Sequence, residues 1–195
     1  IYADPGFIVD KKDDLLGIVL THAHEDHIGA IAHLWPKLQC RIFATPFTAV
    51  LITEKFREKK IDITNFLKIV ELNGSINLDP FKIDYVAMTH SILEPNGLRI
   101  ETPAGVVLHT GDWKIDENPL VGGNMDVKKL KRIGDEGVIA MICDSTNIFS
   151  VGRSGSEETV RKSLLNIMER LNKRIIVTSF ASNVARMETI FYCAE

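Results

Sequence analysis

The chain has 195 residues, 45% hydrophobic and 25% charged, a balance that suits one sizeable buried core. No run approaches the roughly 18 apolar residues that a membrane-spanning helix needs, and the opening Ile1-Tyr2-Ala3-Asp4 lacks the basic start of a secretory signal. A net charge of −3 gives no support to a nucleic-acid-binding surface, and the basic clusters Lys55–Lys60 and Lys128–Arg132 read as solvated helix faces, although an enzyme can still receive RNA in a locally positive cleft.

In chain order, the first apolar run predicts a strand over Gly17–Leu20. A short helix over His27–Leu34 follows and is expected to end before Pro36. Arg41–Thr45 reads as a strand, and Phe47–Glu58 as a helix, with Pro46 at its first turn. Lys68–Leu72 and Phe81–Met88 read as strands. Leu98–Thr102 and Val106–Thr110 form a predicted hairpin, turned by Pro103-Ala104-Gly105. Asp126–Ile133 is expected as a helix and Val138–Cys143 as a strand. Ser156–Leu171 carries an apolar stripe of Val160, Leu164, Met168 and Leu171, which is the pattern of core packing. Ser154 and Glu157 resemble a capping box, which would start this helix a residue or two earlier. Arg174–Thr178 completes the expected strands. Short apolar runs alternating with amphipathic stretches make the fold class α/β.

The Ser-, Thr-, Asn- and Gly-rich stretch near 145–156 suggests a domain boundary, separating 1–150 from 151–195. Cys40, Cys143 and Cys193 are odd in number, far apart and set among apolar neighbours. They read as buried thiols of a reducing, cytoplasmic setting rather than as a disulfide frame. Both ends read as interruptions: there is no initiator Met, and Met187–Glu195 stops within a helical stretch.

The chemistry concentrates in Thr21-His22-Ala23-His24-Glu25-Asp26-His27, directly after a strand. Three of the six histidines lie within six residues, with two carboxylates among them. Imidazole nitrogen and carboxylate oxygen are the donors that borderline cations such as Zn²⁺ prefer. His22 and His24, two apart on extended chain, point to one side and can share a metal. Asp26 and His27, at the turn into a helix, can face a second. The plain alternative is a polar loop in which the histidines serve as caps and hydrogen-bond donors. His33 reads as a surface or packing residue, and His109, inside a strand, as structural.

This H-x-H-x-D-H pattern resembles the metallo-β-lactamase superfamily, which implies an αββα sandwich with metals held by loops at one edge of the sheets. Under that resemblance His90, in Thr89-His90-Ser91, is the third histidine of the first metal. Asp112, in Thr110-Gly111-Asp112-Trp113-Lys114, is the aspartate bridging both. Further stretches resemble the ribonuclease J family of β-CASP nucleases: Thr21–Ala30, Ala44-Thr45-Pro46-Phe47-Thr48, Thr110–Asp116, Asp144-Ser145-Thr146-Asn147 and Ser179-Phe180-Ala181-Ser182-Asn183.

The resemblance spans essentially the whole chain. It implies that Asp144 is the first acidic residue of the β-CASP motifs, and that Gly152 onward begins an inserted β-CASP domain. That family's later histidines have no counterpart here, and Asp4 could correspond to its upstream acidic motif. The expectation is therefore a chain that binds one metal poorly, or two only in part.

The implied activity is hydrolysis of RNA phosphodiester bonds with two zinc ions about 3.5–4 Å apart. His22, His24 and His90 would hold the first ion and Asp26 and His27 the second, with Asp112 between them. Asp26 would orient the attacking water or accept its proton, and Asp144 would orient a further histidine. Ser182 and Asn183 open a possible helix that could receive a phosphate, although plain N-capping is the favoured account of them. RNA is the expected partner; a membrane is not expected, and a homo-oligomer is possible. Two other readings stand: a hydrolase of small esters, thioesters or lactones on the same fold, and a metal-free RNA-binding or assembly subunit. The β-CASP-like segment argues against the first, and the intact His/Asp set against the second.

Overall fold

The computed structural model describes residues 2–195. Two sheets lie face to face. The first has three parallel strands in sequence order, β1 (Gly17–Val19), β2 (Arg41–Ala44) and β3 (Leu67–Ile69). The second has five, β4 (Ser75–Leu78), β5 (Phe81–Ala87), β6 (Asn96–Thr102), β7 (Gly105–His109) and β8 (Ala140–Ile142). Its first four strands are antiparallel neighbours, and β8 joins β7 in parallel.

Alternation along the strands sorts the core into two layers. Ile42 and Ala44 of β2 face a helical layer, where they meet Ile31, Trp35, Ala49, Ile52 and Phe56. Phe43, between them, points the other way and joins Val70, Ile83, Tyr85 and Leu98 between the sheets. Each of these large side chains contributes roughly 1.5–3 kcal/mol by leaving water. Beyond the second sheet lies helix α5 (Val127–Glu136), capped by Asp126, whose carboxylate accepts from the Lys129 amide. Lys129 Nζ reaches the Tyr85 carbonyl at 2.7 Å, and the buried Arg99 of β6 pairs with Glu136. The layers run helix, sheet, sheet, helix, as the αββα expectation requires.

Helices α1 (Gly6–Val9), α2 (Glu25–Ile28), α3 (Ile31–Leu38) and α4 (Pro46–Glu58) precede α5, and α6 (Glu157–Met168) and α7 (Val184–Ala194) follow it. Among the described residues no helix is long and apolar enough to cross a membrane.

The structure corrects several expectations. The helix over His27–Leu34 is two pieces, and α3 continues through Pro36 to Leu38. Pro36 forfeits a backbone bond, but burial of Ile31, Trp35 and Leu38 on one face and the Trp35 Nε1 bond to the Cys40 carbonyl hold the last turn. Strand β4 was not anticipated, although Ser75-Ile76-Asn77-Leu78 alternates and puts Ile76 and Leu78 against the core between the sheets. Arg174–Thr178 is not a strand: its β-branched residues have no strand to pair with, and Ile176 is 84% exposed. Helix α6 starts at Glu157 behind the N-cap Ser156, not earlier at Ser154. Its stripe is only half-buried, and Leu171 lies beyond the helix, exposed. Of the three thiols only Cys40 is buried, because Cys143 directly follows β8, a strand exposed along its length.

Candidate metal centre

The ligand candidates all sit where strands end. The backbone leaves β1 at Val19, and Leu20 still donates to the Phe43 carbonyl before the chain enters the His22–His27 turn. His24 is extended (φ −67°, ψ 151°) and acts as the N-cap of α2, which places Asp26 and His27 on that short helix. Strands β5 and β7 both run antiparallel to β6, so their carboxyl ends reach the same edge and deliver His90 and Asp112. Asn96, 2% exposed, ties the two sheets together at this edge. Its amide and side-chain nitrogens both donate to the Thr21 carbonyl at 3.1 Å, and the side chain also donates to Glu94 O.

Asp112 owes its direction to Gly111, which has φ +59° and would place a Cβ 2.5 Å from the Asn96 carbonyl. Only glycine fits there without strain. The Gly111 amide donates to His109 Nδ1 at 3.0 Å, which agrees with the structural reading of His109.

Four side chains converge. His24 Nδ1 lies 3.2 Å from His22 Nε2 and 3.1 Å from His90 Nε2. Asp112 Oδ2 is 3.8 Å from both His22 Nε2 and His90 Nε2. One atom from each of His22, His24, His90 and Asp112 falls within 4.8 Å of the others, and Asp26, His27 and Asp112 form a second such group. There Asp112 Oδ1 lies 3.2 Å from His27 Nε2, and Asp26 Oδ2 lies 3.5 Å from the same nitrogen. Asp112 thus offers one oxygen to each group.

The donor set fits a cation. Tetrahedral zinc with nitrogens at 2.0–2.1 Å sets neighbouring donors about 3.3 Å apart, close to the imidazole separations here. Three nitrogen lone pairs turned on one another would otherwise repel. Burial, and then His27, His24 and His90 around it, hold the His22 imidazole down to about pKa 2, so it is neutral and ready to ligate. Burial and His24 also lower His90, against the opposing pull of Asp112 and Asp144.

A hydrogen bond on the far side of the His24 ring selects its tautomer. His22 Nδ1 meets Thr21 Oγ1 at 3.1 Å, and His24 Nε2–H donates to the Ser182 carbonyl at 3.3 Å, which leaves His24 Nδ1 to face the group.

The remaining candidates are held by other partners. Asp144 belongs to neither group; its Oδ1 accepts from the Thr146 amide (2.9 Å) and hydroxyl (2.7 Å), which lower its pKa. Asn183 caps α7 by accepting from the Arg186 amide. His33 is exposed and stacks on Tyr2. The roles of Asn96 and the Ser182 carbonyl had no signal in spacing, because each acts on a residue far along the chain.

A profile of the metallo-beta-lactamase superfamily matches residues 5–178. The chain is 41% identical over 197 residues to Ribonuclease J of Sinorhizobium meliloti, a match that covers 100% of this chain and 35% of that protein. It is 44% identical over 191 residues to Ribonuclease J of Corynebacterium glutamicum, covering 96% of this chain and 26% of that one. The chain therefore spans about a third or less of the length of these curated relatives. A crystal structure of a protein of unknown function from Enterococcus faecalis V583 superposes with a TM-score of 0.62 at 20% identity. That match covers 90% of this chain and 44% of the other, a likeness of fold.

Proposed function

The chain belongs to the metallo-β-lactamase superfamily, and from that premise we propose that the protein is a ribonuclease that hydrolyses RNA phosphodiester bonds at a two-zinc centre. The observation that carries this reading is the convergence of His22, His24, His90 and Asp112 from three separate strand ends, with Asp112 shared by the Asp26–His27 pair. Similarity to Ribonuclease J over nearly the whole chain supports RNA as the substrate.

In this assignment His22, His24 and His90 would hold the first ion and Asp26 and His27 the second, with Asp112 within reach of both groups. When bound, the zinc pair supplies Lewis acidity, making a water more acidic and offsetting negative charge on the phosphate oxygens. Asp26, its side chain 76% exposed at the mouth of the site, would orient the attacking water or take its proton. Asp144, with its Asx turn beside His90, holds a further histidine rather than a metal. The Ser182 carbonyl meets His24, and Ser182 and Asn183 would contact the RNA backbone there. The reading places residues 151–195 at the start of a β-CASP domain and the activity in the cytoplasm.

The test is elemental analysis and RNA cleavage on the complete protein, with a thioester and a simple phosphodiester as competing substrates. His22→Ala should lose zinc and RNA cleavage together. Full cleavage with that change, or turnover of the thioester in preference to RNA, overturns the assignment.

A further inference from the structure

A cluster of four charges, its two carboxylates buried and its two cations partly exposed, sits behind the ligand loops. Glu157, 7% exposed at the first turn of α6, meets Lys114 Nζ at 3.1 Å on one side and the Arg186 guanidinium at 3.3 Å on the other. Lys114 also lies 3.4 Å from Asp116, whose carboxylate, 1% exposed, accepts from the Glu157 amide at 3.1 Å. Two cations and two anions balance, so the group tolerates its burial as a set and not in parts.

Each cation leads to a ligand loop. Lys114 stands two residues after Asp112, and its amide donates to the Thr89 carbonyl beside His90, while the Thr89 hydroxyl bonds to the Lys114 carbonyl. Arg186 lies in the first turn of α7. There the Ala185 amide donates to the Ser91 carbonyl at 3.3 Å, and the preceding turn offers the Ser182 carbonyl to His24 Nε2. Removing the Glu157 charge leaves Lys114 and Arg186 without their shared partner. Arg186 then has reason to swing to water and carry the start of α7 with it. The Ser182 carbonyl would leave His24, which would lose its fixed tautomer.

We propose that Glu157 is a positioning residue for the metal centre: by holding Lys114 and Arg186 together it presses the Ser182–Arg186 turn onto the loops of His24 and His90. This rests on the metal-centre reading above. It concerns how tightly the cation is held, since outer partners of ligating histidines commonly set metal affinity by about 10–100-fold.

The test is zinc affinity, measured by competition with a chromophoric chelator, for the wild type, Glu157→Gln, Arg186→Met and the control Glu158→Gln. Glu158 pairs with Lys162 on the outer side of the same helix turn. Glu157→Gln and Arg186→Met should each weaken zinc by roughly tenfold or more, with Glu158→Gln within about twofold of wild type. The imidazole nitrogen spectrum of His24 should show a protonated Nε2 in the metal-free wild type and a mixture of tautomers in the two variants, a change that lost stability alone does not produce. If Glu157→Gln does not fold, which circular dichroism reveals, Arg186→Met carries the test from the opposite side of the cluster. Wild-type zinc affinity with an unchanged His24 spectrum in a folded variant overturns the proposal. A wild-type protein that binds no zinc overturns the metal-centre reading itself, and this inference with it.

Discussion

Lowering the pH from 7.5 to 5 in the absence of metal should destabilise this protein, chiefly through His22. In the unfolded chain an imidazole takes its proton near pH 6.5. In the folded protein His22 is 0% exposed and ringed by His24, His27 and His90, which together with burial hold it near pKa 2. Between those two values the unfolded state binds one proton more than the folded state, so stability falls as pH falls. The contribution is complete above pH 6.5, and by pH 5 it has cost about 2 kcal/mol, at about 1.36 kcal/mol per unit.

His90 and His109 are also lowered, first by burial, and add to the same slope. Asp116 and Asp144 are lowered below the ordinary carboxylate range, Asp116 against its burial by bonds from Ser156 and the Glu157 amide and Asp144 by the Thr146 hydroxyl and amide. Urea unfolding with a chelator present, repeated at pH 7.5, 6.5, 5.5 and 5, measures the slope. Stability unchanged across that range, or an identical slope in His22→Gln, would refute the reasoning.

Other consequences are more local. Gly111→Ala forces a side chain into positive φ and a Cβ to within 2.5 Å of the Asn96 carbonyl, so it should cost about 2 kcal/mol or more and misplace Asp112. A thermal melt at wild-type temperature would contradict this. Tyr85→Phe removes the buried hydroxyl bond to the Phe43 carbonyl between the sheets and should cost about 1 kcal/mol in chemical denaturation, with zinc affinity unaltered. Zinc at a hundred times its dissociation constant should stabilise the fold by about 2.7 kcal/mol, and chelation should reverse that. An unmoved melting temperature would show that the His/Asp cluster does not hold the ion.

What local pattern can express was legible in the chain. Short apolar runs located most of the strands, and Pro103-Ala104 turns β6 into β7, pairing Thr102 with Gly105. The His22–His27 spacing marked a candidate cation site, because two imidazoles two residues apart on extended chain already share a face. Where the determinant was a partner rather than a pattern, sequence was silent or misleading. Arg174–Thr178 has strand composition and no neighbouring strand, and the pull of Pro36 against helix was outweighed by burial on one face of α3.

The candidate ligands were thus written in the sequence, whereas their arrangement into one cluster was decided in three dimensions. Asn96 joins the two sheets at the ligand edge, Gly111 aims Asp112, and the Ser182 carbonyl, 158 residues from His24, selects which of that imidazole's nitrogens faces the cluster. A side chain's donor chemistry is a property of the residue. Its direction and tautomer belong to whatever tertiary packing places on its other side.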